Sequence, residues 1–222
     1  MKRGGERHAG FVREIEAAAT RRRASDALVD AVHLMALSIW GALCPAAEKE
    51  AVERDFEATR GKYGDEEYGH FVRAFAELAD ALSADRSEFL GWCMTTMDAT
   101  NKWGGQFLTP NNIAKMLGAV LASGETRDGV IRLGDPCVGA GVTVIEGAEE
   151  MMAKGVPQRD ILIDCGDIDG RACDMAYVQL SLLGYAAVVR HRNALTLEDF
   201  SPPRLTPGWF LHGFPLRGIG AA

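Results

Sequence analysis

The chain has 222 residues, 47% of them apolar and 25% charged, with a formal net charge of -7. That length buries a substantial core in one domain or two small ones, and the composition is that of an ordinary globular protein, not a disordered or fibrous one. The negative balance excludes broad, unspecific attraction to nucleic acid.

The amino end is the exception to that balance, because Lys2, Arg3, Arg7, Arg13 and Arg21-Arg22-Arg23 gather there. A solvated helix face is the simple account of the cluster and a phosphate-contacting arm the sharper one. From Phe11 to Arg23 the chain reads as a charged, alanine-rich helix. Leu28, Val32, Met35, Ile39 and Leu43 then form one apolar face, and Pro45 follows near the expected stop. Leu28 to Cys44 is the most apolar run, yet it is short for a bilayer and carries Asp30 and His33, so we expect a buried helix and no membrane association. Glu48 to Arg60 is a charged helix closed by Gly61, and Tyr68, Phe71, Val72, Phe75, Leu78 and Leu82 fall at helical spacing as a core stripe. Residues 1–100 are therefore expected to form a helical domain, with a polar joint from Thr95 to Lys102. Cys44, Cys93, Cys137, Cys165 and Cys173 form no C-x-x-C pair and the five histidines are scattered, which suggests reduced thiols in a cytoplasm and no metal site.

The second part, residues 101–222, changes character. Gly104-Gly105-Gln106-Phe107-Leu108-Thr109-Pro110 ends in an N-cap threonine and a first-turn proline, followed by a helix with Ile113, Met116, Leu117, Val120 and Leu121 on one face. Val130 to Gly134 reads as a strand, Asp135-Pro136-Cys137-Val138-Gly139-Ala140-Gly141 as a glycine-rich turn, and Thr143 opens a helix that ends at Gly155. Strand, glycine turn and helix in that order hold a nucleotide-like ligand at a strand's carboxyl end. Gly139 and Gly141 let backbone approach where a Cβ would block it. The loop opens with an acid and matches neither phosphate-binding glycine motif, so its guest is cationic or uncharged. Ile161 to Cys165 is a second strand leading to Asp167, a position where such folds place an acid against ribose hydroxyls. A helix from Arg171 to Leu183 and a third strand, Ala186 to Arg190, follow, and the amide of Asn193 can donate and accept on an adenine edge. Strand–helix alternation with short connections implies parallel pairing, so the expected class is α/β.

Together these pieces resemble the adenine-specific DNA methyltransferases, particularly the modification subunits of type I restriction systems and small phage- or plasmid-borne relatives. The resemblance spans roughly residues 85–195. Gly105-Gln106-Phe107-Leu108-Thr109-Pro110 resembles that family's G-Q-F-F-T-P, and Asp135 to Gly141 resembles its D-P-A-C-G-S-G. The resemblance implies a partial Rossmann-like, S-adenosylmethionine-dependent methyltransferase sheet of about three parallel strands beside an amino-terminal helical domain. It also implies a cofactor site made of Gln106, Phe107, Thr109, Asp135, Cys137, Gly139, Gly141, Asp167 and Asn193, with S-adenosylmethionine as cofactor and DNA as partner. A sulfonium and an ammonium, with no phosphate, suit an acid-led loop.

One part of the family pattern is absent from the sequence. No [N/D]-P-P-[Y/F] tetrapeptide, which accepts from the target amino group and stacks on the flipped base, occurs, and Ser201-Pro202-Pro203-Arg204 lacks both acceptor and ring. Ser201 to Arg204 reads instead as a plain proline turn. Two functions follow: an enzyme methylating adenine in DNA, its acceptors supplied by a partner, or a non-catalytic cofactor-binding accessory subunit. A sheet that stops after three strands leaves the Val130–Leu133 edge open, so either the tail Trp209–Phe214 or a second chain, as homo-oligomer or partner subunit, is expected to cover it.

Overall fold

A computed structural model of the chain describes residues 4–97 and 129–215. Contacts divide the chain into two units, Met1–Gln106 and Phe107–Ala222. The first is helical among its described residues: α1 (Gly4–Ala18), α2 (Ala24–Leu43), α3 (Ala46–Arg60), α4 (Asp65–Ala84) and α5 (Leu90–Thr96). α1 packs on α4 and α2, and α2 packs on α3. By length and composition α2 could cross a membrane. Its Leu28, Ala31, Val32, Met35 and Trp40 are buried within this unit, which is the position of a core helix. The stripe on α4 is narrower than the sequence suggests: Phe71, Ala74, Leu78 and Leu82 are buried while Val72 is exposed. Val72 follows Phe71 directly, and adjacent residues on a helix point to different faces.

The basic cluster resolves into separate structural jobs. Lys2 and Arg3 lie outside the described residues. Arg7 is a staple. Its guanidinium donates to Ser87 Oγ (2.8 Å), to the Ser87 carbonyl (2.9 Å) and to the Glu88 carbonyl (3.2 Å), and it lies 5.2 Å from the centre of the Phe89 ring. The expected helix through Arg23 stops at Ala18, and Arg21 to Arg23 form the joint into α2. That joint is tied down locally, since Thr20 donates to the Glu67 carboxylate and Arg22 lies over the Tyr63 ring. Farther along α1, Glu14 accepts from Arg73 Nε (2.9 Å) and sits 2.8 Å from His70 Nδ1. Those bonds, His70 first, hold its carboxyl below the usual range.

In the second unit β1 (Ile131–Asp135), α6 (Val142–Ala153), β2 (Ile161–Asp167), α7 (Gly170–Leu182) and β3 (Ala186–His191) alternate as the sequence indicates. The sheet order is β1-β2-β3-β4, where β4 is Arg204–Leu205. β1–β2 and β2–β3 are parallel, with Asp135 level with Cys165 and Asp167 level with His191. The α/β class and three parallel strands are therefore observed. β3 is an unbroken apolar run, Ala186 to Val189, buried on both faces as parallel strands are. α7 is buried almost all round from Ala172 to Ser181 because it lies against β2 and β3. All five cysteines are free.

The carboxyl segment goes to the far side of the sheet from the edge it was expected to cover. β4 pairs antiparallel with β3, and α8 (Pro207–Leu211) packs on β3, so Trp209 is buried there and not along β1. Thr206, fully buried, is the first anchor. Its backbone N–H donates to the Ala187 carbonyl (3.1 Å). Its hydroxyl donates to the Tyr185 carbonyl (2.6 Å) and accepts from the Ala187 N–H (2.9 Å). Thr206 thus takes the hydrogen bonds a further strand would take. Arg204 pairs with the buried Asp174 of α7, Tyr177 donates to the Leu205 carbonyl at 3.1 Å, and a Cβ at Gly208 would run into the Tyr185 carbonyl. Among the described strands β1 remains at the edge, with Arg132 and Gly134 exposed. Ser201 to Pro203 form the lead into β4.

Candidate functional site

The turn after β1 is built from carboxylates accepting backbone N–H groups. Asp135 ends β1 and accepts from the Cys137 N–H at 3.0 Å, and its other bond is with the Thr143 side chain in the first turn of α6. Val138 donates to the Gly166 carbonyl of β2 at 2.9 Å, and Gly141 donates back to Val138 at 2.8 Å. Gly139 (φ 54°) and Gly141 (φ 98°) occupy the left-handed region that a side chain disfavours, so the chain reverses within three residues and enters α6. Val138, Ala140 and Gly141 are buried while Pro136 and Cys137 face solvent.

The turn after β2 closes onto the first. Asp167 accepts the Gly139 N–H on one carboxylate oxygen (2.9 Å) and the Asp169 N–H on the other (3.0 Å). Asp169 caps α7 by accepting the Arg171 N–H (3.0 Å), and the Arg171 guanidinium holds the same carboxylate through Nε (3.0 Å) and Nη2 (2.6 Å). Ile168 between them is 61% exposed, an apolar side chain held beside Asp167 at the rim. His191 Nε2 lies 3.2 Å from the Ile168 carbonyl. Burial first, and then the Asp167 charge, push the Asp135 carboxyl above its usual range. Two carboxylates close enough to repel each other favour a cation beside them and disfavour a phosphate. Each oxygen of Asp167 retains a second lone pair for a ligand hydroxyl.

Of the residues the sequence nominates, Asp135, Cys137, Gly139, Gly141 and Asp167 come together here. Cys137 contributes its backbone and presents its side chain to solvent. Asn193 stands at the same end of the sheet, two residues beyond β3, with its carbonyl oxygen accepting from Leu195 N (2.9 Å) and Thr196 N (3.3 Å). The acceptor half of its expected adenine contact is thus spent on a turn. Gln106, Phe107 and Thr109, with the helix from Ile113 to Leu121, lie outside the described residues. Sequence reasoning missed Thr143, which completes the Asp135 pair, and Gln179, which donates to the Ala140 carbonyl at 2.7 Å from inside α7. The visible sign of Gln179 is an amide in the middle of an otherwise apolar run, Ala176 to Leu180.

This is an α/β unit whose two strand-end turns, both carboxylate-held, make one edge suited to a cationic or hydroxylated ligand. No protein-family model matches the chain, and no curated protein matches it. Among solved structures, it is similar to a Listeria monocytogenes protein described as a candidate class I S-adenosylmethionine-dependent methyltransferase. The TM-score is 0.48 at 14% identity, over 86% of this chain and 55% of that one. The chain thus spans about half the length of the structure it matches. Likeness at that level leaves the site to be read from its own geometry.

Proposed function

We propose that the edge formed by Asp135 to Gly141 and Asp167 binds S-adenosylmethionine, and that the chain serves methyl transfer to the amino group of adenine in DNA. The observation that carries the reading is the acid-led, glycine-turned loop closed by an acid from the neighbouring strand. The residues fit the group. The two carboxylates match a ligand with a sulfonium and an ammonium, Asp167 retains lone pairs for a ribose diol, and Ile168 offers an apolar surface beside it for the adenine ring. When bound, S-adenosylmethionine supplies the electrophilic methyl group. This chain's residues bind and orient it.

The acceptors for the base come from a different partner subunit, and that subunit or a second copy of the chain covers the β1 edge. In this sequence Ser201 to Arg204 carries neither acceptor nor ring, and Arg204 is occupied by Asp174. The missing [N/D]-P-P-[Y/F] tetrapeptide favours a second reading, a cofactor-binding accessory subunit without turnover of its own. Calorimetric titration with S-adenosylmethionine, using NAD and ATP as phosphate-bearing controls, tests the site: binding of S-adenosylmethionine alone is expected, and no heat would refute it. Tritiated cofactor with adenine-rich duplex then separates the two readings. Label entering DNA with the purified chain alone removes the accessory reading, and none entering with any neighbouring gene product removes the enzyme.

A further inference from the structure

We infer that Gln179 is a positioning residue for the glycine turn: a buried amide on α7 that fixes the turn from behind and thereby sets its ligand affinity. The inference rests on the reading of the turn as an S-adenosylmethionine site. Gln179 is 0% exposed, in a stretch of helix whose neighbours Ala176, Val178 and Leu180 are apolar and equally buried. A fully buried amide is unfavourable unless it is hydrogen-bonded, and a leucine or methionine would fill the same space. One bond the amide makes is to the Ala140 carbonyl, 2.7 Å from its Nε2. That carbonyl lies in the turn between two left-handed glycines, Gly139 and Gly141, outside the strands and helices.

A second contact comes from the same face of the helix. Ala176 stands one turn before Gln179, and a Cβ built on Gly141 would meet the Ala176 Cα at 3.6 Å. α7 therefore holds Ala140 directly and passes close behind Gly141. Its amino end follows Asp167, whose carboxylate grips Gly139. The end of β2 and the helix after it thus hold the turn from two sides, Asp167 at Gly139 and Gln179 at Ala140, and Gln179 is the fully buried side.

The test compares Gln179→Met with Val178→Ala, a core change on the same helix at a residue that is also fully buried. Two readouts are taken, affinity for S-adenosylmethionine by calorimetry and hydrogen–deuterium exchange of the peptide spanning 133–145. Gln179→Met is expected to weaken binding by about tenfold or more, the size of one buried hydrogen bond lost. It should also speed exchange at Gly139 and Gly141 in the ligand-free chain. Val178→Ala should lower the melting temperature and leave both readouts unchanged. Should the methionine variant fail to fold, Gln179→Asn, shorter by one methylene, carries the same expectation. Unchanged affinity and unchanged exchange in the folded variant would overturn the inference, and so would equal losses in Val178→Ala. If the unsubstituted chain binds no S-adenosylmethionine, the proposed function fails, while the exchange measurement still decides whether Gln179 holds the turn.

Discussion

Replacing Asp167 with asparagine tests two roles of this one carboxylate, an observed one in holding the turns and a proposed one at the ribose of the ligand. Its oxygens accept the Gly139 N–H at 2.9 Å and the Asp169 N–H at 3.0 Å. An asparagine has one acceptor oxygen and presents an NH2 in place of the other, so one backbone donor loses its partner. A hydrogen bond to a charged group contributes about 1.5–3 kcal/mol, and at this half-buried position the lower end applies, about 1.5 kcal/mol of ligand-free stability. Urea unfolding of the carboxyl-terminal unit has a slope of about 1–3 kcal/mol per molar, which places the midpoint shift near 0.5–1.5 M. On the proposed function the ribose hydroxyls lose an acceptor as well, so affinity for S-adenosylmethionine should fall by a further factor of about ten or more. Calorimetry alongside the urea curves reads both. A normal urea midpoint would refute the loop-holding role, and a normal affinity would refute the ribose contact.

Thr206→Val keeps the shape of the side chain while orphaning the Ala187 N–H and one bond to the Tyr185 carbonyl. It should destabilise the carboxyl-terminal unit by about 2–4 kcal/mol, whereas Thr206→Ser should cost no more than about 1 kcal/mol for the lost methyl, and equal urea midpoints would show that the hydroxyl does not close β3. Gly141→Ala meets only ordinary contacts, at 3.5 Å to Ile145 Cδ1, so its penalty comes from the φ of 98°. About 1–2 kcal/mol of stability should be lost in urea unfolding, together with cofactor affinity. The Asp135 carboxyl is held above its usual range, by burial first and Asp167 second. A cationic ligand needs it ionised, so affinity should be full above that raised value and decline as pH falls through it, earlier than for an ordinary aspartate near 3.9. Ligand-free stability runs the opposite way, because the folded chain takes up this proton more readily than the unfolded chain. In calorimetry against pH, Asp135→Asn should flatten the affinity curve.

The alternation of strands and helices from Ile131 to His191 was legible because each element carries its own period and its own stop. Gly155 and Gly184 close the two helices with φ of 93° and 75°. The turn from Asp135 to Gly141 was legible for the same reason, since its acid and glycines are adjacent in the chain. What escaped depends on contacts distant in sequence. A two-residue strand has no periodicity, and β4 exists because Thr206 reaches Tyr185 and Ala187 and because Arg204 meets Asp174, thirty positions earlier. Gln179 escaped for the same reason, its partner lying thirty-nine positions away. The basic amino end misled in another way. Composition cannot tell a solvated arginine from Arg7, whose guanidinium is spent on carbonyls of the α4–α5 joint.

The closure of β3 also sets a direction for self-recognition. With the Ala187 N–H, the Ala187 carbonyl and the Tyr185 carbonyl all engaged by Thr206, an incoming strand cannot pair with β3 there and finds only the two-residue β4 on that flank. Growth of the sheet by a second copy, whether orderly dimer or amyloid-like stack, is thereby polarised among the described strands toward β1, and a proline placed in β1 is the change that would block it.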